Sequence, residues 1–251
     1  MPKRIAIAGK GGTGKTTLAA LLVRYLAEEK KGKDILTVDA DANANLNEAL
    51  GLAVEETIGS ILEDTKNPGS VPSGMTKDIF IEYRISQAMV EDDAFDLLVM
   101  GNPEGPGCYC YPNDLLKKYL EKLSKNYDYM VIDNEAGLEH LSRRLLPNVD
   151  LLLVTSDSTA RGIRSAGRVK DIVEKVKMDV TALGLVVGRS RDEEINSLDE
   201  EIQKTGLSLF GTIGHDPLVA EYDLNGKALL SLPDDSKAVQ DSKKLFQSLS
   251  I

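Results

Sequence analysis

Tryptophan is absent from the 251 residues, and phenylalanine, histidine and cysteine occur only four, two and two times. The histidines, His140 and His215, are isolated from each other and offer no local metal-binding motif. The cysteines, Cys108 and Cys110, stand one residue apart, so a disulfide between them would close a tiny, strained ring and staple nothing. In a reducing compartment they are free thiols. Also missing is any run of the roughly 18 to 20 apolar residues that a membrane span requires. The opening stretch, MPKRIAIAGK, passes from two basic residues into a short apolar run and a glycine loop, without the apolar core of a signal peptide. A cytoplasmic protein is expected. Positive charge is scarce too: 30 basic residues against 40 acidic ones leave a net charge of −10. That charge repels nucleic-acid phosphates and anionic lipid, so neither nucleic acid nor a stable membrane association is expected. With no repeat, low-complexity tract or long linker, residues 1–251 read as a single domain.

What is present is an alternation of apolar runs and helical spacings. Arg4 to Gly9, Asp34 to Asp41, Phe95 to Gly101, Tyr127 to Asp133, Val149 to Ser156, Val180 to Gly188 and Leu207 to Gly214 read as strands. Leu18, Leu21, Leu22, Tyr25 and Leu26 mark a helix over Thr16 to Lys30, and Val169, Ile172, Val173 and Val176 mark another over Thr159 to Lys177. A short helix is expected at Leu46 to Leu50, and Asn113 or Asp114 is the expected cap of a helix carrying Leu115 to Leu123. Gly51 to Asp78 is crowded with turn formers and gives no clear pattern, and Ile79 to Val90 fits helix or strand. Strands apolar on both faces and separated by helices predict an α/β fold with a mostly parallel twisted sheet flanked by helices on both faces. Ligands of such sheets bind beyond the carboxyl ends of the strands. The glycine loop, Asp39, Asp41, the cysteines and Asp133 all fall at such ends.

The segment GKGGTGKTT, Gly9 to Thr17, satisfies G-x-x-x-x-G-K-[ST] between a strand and a helix. Glycines at Gly9, Gly11, Gly12 and Gly14 let backbone N–H groups around Thr13 turn inward onto phosphate oxygens. Lys15 then reaches the terminal phosphates, Thr16 binds Mg²⁺, and Thr17 continues the helix N-terminus. The segment resembles the deviant Walker A motif of the MinD/ParA/nitrogenase iron protein family, in which a lysine at the position of Lys10 crosses the subunit interface to the partner's nucleotide. The resemblance implies a P-loop ATPase that uses ATP/ADP and Mg²⁺ and forms an ATP-promoted homodimer. VDADANAN, from Val38, resembles that family's first switch, which implies that Asp41 orients the attacking water and that Asp39 lies near Mg²⁺. Asp133, ending the strand in MVIDNEAG, has the place of a Walker B aspartate holding Mg²⁺. Many relatives follow that aspartate with Thr-Pro; here Asn134 and Glu135 follow it, and Glu135 either senses the nucleotide or faces solvent. For the base, the resemblance implies Arg189 in VVGRS, with Gly188 where an asparagine is usual, and Asp216 and Pro217 in GHDPLVAEYD.

The loop EGPGCYCYPND, Glu104 to Asp114, concentrates both thiols between prolines and glycines. In an extended segment residues i and i+2 point to one side, so Cys108 and Cys110 present two sulfurs to one partner. A twofold axis doubles two thiolates to four, a set suited to Zn²⁺ when tetrahedral and to Ni²⁺ when square-planar. The dimer implied by Lys10 supplies that axis. EGPGCYC together with DNEAGLEHLSRR (Asp133 to Arg144) and the Lys10 loop resembles the CooC-type ATPases and the closely similar AcsF proteins. These are accessory proteins of the nickel enzymes carbon monoxide dehydrogenase and acetyl-CoA synthase. The resemblance, which runs from residue 4 to about residue 230, implies an ATP-dependent nickel metallochaperone that dimerises with ATP and metal and delivers Ni²⁺ to such a client. Two other functions share the loop chemistry: a MinD/ParA-type positioning ATPase and an iron–sulfur reductase. The tail SKAVQDSKKLFQSLSI, from Ser236, carries Leu245, Phe246 and Leu249 and reads as a docked helix rather than a basic membrane-binding one.

Overall fold

The computed structural model describes residues 2–67, 69–102, 110–135, 148–191 and 195–251, the side chains of 110–116 excepted. Its strands are β1 (Lys3–Gly9), β2 (Ile35–Ala40), β3 (Val90–Glu91), β4 (Asp96–Val99), β5 (Tyr129–Asn134), β6 (Asn148–Asp157), β7 (Asp179–Ser190) and β8 (Ser208–Gly214). They form one eight-stranded sheet in the order β3-β4-β2-β5-β1-β6-β7-β8. Every pairing is parallel except that of β3 with β4. The helices among the described residues are α1 (Lys15–Glu29), α2 (Leu46–Leu50), α3 (Ile58–Asp64), α4 (Lys77–Gln87), α5 (Cys110–Leu123), α6 (Ala160–Lys175), α7 (Asp199–Thr205), α8 (Pro217–Leu224) and α9 (Lys237–Ser248).

Side chains on a strand alternate between faces, and the core divides by that parity. Ile5 and Ile7 of β1, Ile35 of β2 and Val131 of β5 join Leu18, Leu22 and Leu26 of α1 and Phe246 of α9. Ala6, Ala8, Val38 and Ile132 join Ile58 and Ile61 of α3, Ile81 of α4, Leu120 of α5 and Ile163 of α6. One layer of helices therefore covers each face, as the uninterrupted apolar runs require. The same parity turns Asp39 and Asp133, which lie side by side in the β2–β5 register, toward the face that carries α1.

Two segments that the sequence left open take definite form, and the start of one helix differs from the sequence reading. The stretch from Gly51 to Asp78 holds α3, closed at its start by a reciprocal Thr57–Ser60 capping box. The stretch from Ile79 to Val90 divides, completing α4 as far as Gln87 before the chain turns into β3. α5 begins at Cys110, so Asn113 and Asp114 lie inside it rather than capping it. Pro112 permits this, because its missing N–H costs nothing in a first helical turn. Cys110 is thus the first residue of a helix; its side chain and all of Cys108 lie outside the described residues, as does His140.

Candidate nucleotide-binding site

β1 ends at Gly9, opposite Thr155 of β6. The two strands come so close that a Cβ on Gly9 would sit 2.7 Å from the Thr155 carbonyl oxygen and 2.9 Å from Thr13 Oγ1. Only glycine fits there. The chain then turns through Gly12 and Gly14, whose φ of 76° and 87° belong to the left-handed region, and enters α1 with Gly14 as N-cap. Gly14 carries no capping side chain, so the first amides of α1 and the positive end of its dipole remain available to an anion. Lys15 is buried, whereas Lys10, Gly11 and Gly12 are exposed at the loop's tip.

The loop is held from outside the motif. Thr13 Oγ1 donates to the Lys10 carbonyl at 2.7 Å and lies 2.7 Å from Thr155 Oγ1. Arg189, exposed at the end of β7, donates through Nη2 to the Gly12 carbonyl. Sequence reasoning overlooked Thr155, because a threonine in an apolar strand reads simply as a β-former. It also gave no structural part to Asn134, which is buried on β5 and donates from Nδ2 to the Ile7 carbonyl at 2.9 Å. That bond clamps β1 to β5 two residues before the loop begins.

Thr16 Oγ1 donates to Asp133 Oδ2 at 2.7 Å. Asp133 is 2% exposed, and its other oxygen, Oδ1, has no hydrogen-bond partner among the described residues. Burial pushes the Asp133 carboxyl up to about 7; Asp39 and Asp41 push the same way, against the Thr16 hydrogen bond and the positive charge of Lys15. A buried hydroxyl–carboxylate pair with one spare oxygen, beside a loop that takes phosphates, is a hard-oxygen donor set of the kind Mg²⁺ takes with nucleotide. The residues present therefore fit Mg²⁺, with Thr16 and Asp133 as its protein-side partners.

Asp39 lies beside Asp133 and also has a structural task. Its Oδ1 accepts the Asp41 N–H at 3.0 Å and its Oδ2 the Leu46 N–H at 2.9 Å. Both oxygens are thus engaged in tying the 41–46 loop to the end of β2. Burial raises the Asp39 carboxyl to about 6, against those two backbone donors. Asp41 is half-buried, and its Oδ1 accepts Asn43 N–H at 2.9 Å and Asn43 Nδ2 at 3.1 Å.

Beside the loop, between β7, β8 and α8, opens a cavity of about 370 Å³, lined among others by Thr17, Thr155, Gly188, Arg189, His215 and Asp216. Its size is that of a small-molecule site. Asp216 is spent on structure: Oδ1 caps α8 by accepting Leu218 N–H at 3.0 Å, and Oδ2 accepts Ser236 Oγ at 2.6 Å and Ala238 N–H at 3.0 Å. Burial alone would raise its pKa, but these donors outweigh burial and hold the carboxyl below its ordinary value. Pro217 is the first residue of α8, where its fixed φ suits a helix start. His215, which the sequence reading set aside, lines the cavity as well.

Among the described residues no helix is long and apolar enough to cross a membrane, and no three or more His, Cys, Asp or Glu side chains are grouped so as to hold a metal ion. The family model for the CobQ/CobB/MinD/ParA nucleotide binding domain matches residues 5–230. An uncharacterized ATP-binding protein of Methanocaldococcus jannaschii is 39% identical, covering 98% of this chain and 97% of its own. The carbon monoxide dehydrogenase accessory protein CooC of Rhodospirillum rubrum is 33% identical over 67% of this chain and 68% of its own. Among solved structures, the MinD cell division protein of Aquifex aeolicus superposes with a TM-score of 0.72 at 24% identity, covering 98% of this chain and 95% of that one. With the loop, the Thr16–Asp133 pair and the sheet order in place, the chain belongs to the CobQ/CobB/MinD/ParA nucleotide-binding family and is a P-loop ATPase of the MinD/ParA type.

Proposed function

We propose that this ATPase is a nickel metallochaperone, in which ATP closes a homodimer and hydrolysis drives the cycling of a metal ion held by Cys108 and Cys110 of both chains. ATP binds with its phosphates in the Gly9–Thr17 loop, Lys15 against the terminal phosphates and the base in the cavity beside Arg189. Mg²⁺, when bound by Thr16 and Asp133, supplies neutralisation of the phosphate charge. Asp41 orients the water that attacks the γ-phosphoryl group, and Lys10 reaches the partner's nucleotide. The products are ADP and phosphate. The cargo ion is Ni²⁺, with Zn²⁺ competing for the same thiolates, and the client is a nickel enzyme of the kind that the accessory protein CooC serves by name.

One observation carries the coupling. The segment leading to the cysteines leaves the carboxyl end of β4, and the Met100 N–H at that exit donates to the Asp39 carbonyl at 2.8 Å. Asp39 in turn holds the loop of Asp41. One residue thus joins the strand that feeds the thiols to the loop that faces the nucleotide. A positioning ATPase that works through an amphipathic C-terminal helix fits less well, since α9 spends its apolar residues Val239, Leu245 and Phe246 on the core.

The test is a titration of the purified protein with Ni²⁺ and with Zn²⁺, with and without ATP, following bound metal and mass together. One ion per two chains is expected. The double variant Cys108→Ser/Cys110→Ser should bind ATP as before and no longer dimerise with metal. A double variant that still dimerises with Ni²⁺ contradicts the shared thiolate site.

A further inference from the structure

The hydroxyl pair behind the loop forms a directed chain. Thr13 has one hydroxyl proton, and it points at the Lys10 carbonyl 2.7 Å away. The 2.7 Å contact between Thr13 and Thr155 must then be a donation from Thr155 Oγ1 to Thr13 Oγ1. The alternative acceptor of Thr155, the Ala8 carbonyl, is farther at 3.3 Å. Thr155 and Thr13 are 3% and 5% exposed, so water does not replace either bond cheaply. The chain runs from the rigid end of β6, through Thr13, to the backbone of the exposed Lys10.

We infer that Thr155 is a positioning residue for Lys10: by fixing the Thr13 hydroxyl it sets the backbone from which the Lys10 side chain projects. This rests on the reading of Lys10 as the lysine that completes the partner's site. Gly9 is part of the device, because any Cβ there would push β6 and its hydroxyl away from the loop. Two other bonds in the loop do not depend on Thr155, that of Arg189 to the Gly12 carbonyl and that of the Thr13 N–H to the Lys10 carbonyl at 3.3 Å, so the phosphate cradle persists without it.

The experiment compares steady-state ATP hydrolysis and binding of a fluorescent ATP analogue in Thr155→Val, Thr155→Ser, Lys10→Ala and the double variant Lys10→Ala/Thr155→Val. Thr155→Val should lower kcat about five- to tenfold, the size of one buried hydrogen bond, with analogue affinity within about twofold of wild type. Thr155→Ser, which keeps the hydroxyl, should restore the rate. The double variant should hydrolyse no more slowly than Lys10→Ala alone, since a residue acting through Lys10 has nothing left to position. Thr13→Val, which breaks the same chain from the other side, should repeat the loss and serves if Thr155→Val folds poorly. If Lys10→Ala is impaired but Thr155→Val is not, or their losses multiply, the positioning role is overturned while the reading of Lys10 stands. If Lys10→Ala hydrolyses normally, both are overturned.

Discussion

Asp133 has the most environment-dependent chemistry of the residues in the site. Its carboxyl is raised to about 7 chiefly by burial, while in an unfolded chain it returns to about 4. A raised carboxylate contributes stability that is complete below the unfolded value and lost as pH climbs through the folded one. With Mg²⁺ removed by chelation, the protein should therefore lose stability between about pH 4 and pH 7, and Asp39, raised to about 6 by burial, adds to the same slope. Asp133→Asn keeps an acceptor for Thr16 and has no charge to bury. It should be more stable than wild type by about 2–4 kcal/mol at pH 8 and about equal to it at pH 4, measured by urea unfolding in chelator. Equal stabilities at both pH values would show that the cost of burying this charge is relieved elsewhere. The same variant should lose Mg²⁺-dependent hydrolysis. At this scale the motif residues were legible because glycine, lysine and aspartate at fixed spacing have few other uses. Thr155 and Asn134 were not, because each acts by a side-chain bond to a backbone carbonyl of a distant segment, which no local pattern announces.

At the level of elements, apolar strands declared themselves and the short helices did so unevenly. α2 and α9 lie where turn residues and helical spacing put them, but α3 sits among residues read as turn formers, its helix decided by the Thr57–Ser60 box and by Ile58 and Ile61 entering the core. α5 shows the opposite error, a good capping residue passed over because the helix had already started. α9 closes one face of the sheet with Phe246, which is fully buried, its ring centroid 5.4 Å from that of Tyr25 on α1. Phe246→Ala should cost about 3–5 kcal/mol, read as a lower urea midpoint at constant slope; a loss below about 1 kcal/mol would mean that α9 is docked loosely. Arg24 on α1 fastens the segment before α9 by bonds to the Leu232 carbonyl and Asp234, so α1 braces the C-terminal part of the chain while its first turn faces the phosphates.

For the whole molecule, linkage sets a strict requirement on the proposed cycle. If ATP and Ni²⁺ both favour the closed dimer, each must raise the apparent affinity of the other by the same factor. The Ni²⁺ concentration at half-dimerisation, followed by light scattering, should fall when a nonhydrolysable ATP analogue is added, and the Asp41 variant Asp41→Asn should keep that response while hydrolysing slowly. A midpoint indifferent to nucleotide would separate metal binding from the ATPase altogether. At the exit of β4 the Met100 N–H reaches the Asp39 carbonyl through one backbone bond, and the Gly59 N–H reaches the Met100 carbonyl at 2.8 Å, so α3 sits on the same exit.

The two buried carboxyls give the resting protein a further property. Near neutral pH the idle site keeps Asp133, held at about 7 by burial, part of the time as an acid, and a dication arriving with its nucleotide must evict that hydrogen ion. Each charging of the site is then a small acid release, and each discharge an uptake. In an almost unbuffered solution at about pH 6.5, a pulse of magnesium–nonhydrolysable nucleotide complex, formed beforehand and brought to the same pH, should acidify the medium in step with occupancy, and the Asp133→Asn protein should not show that release.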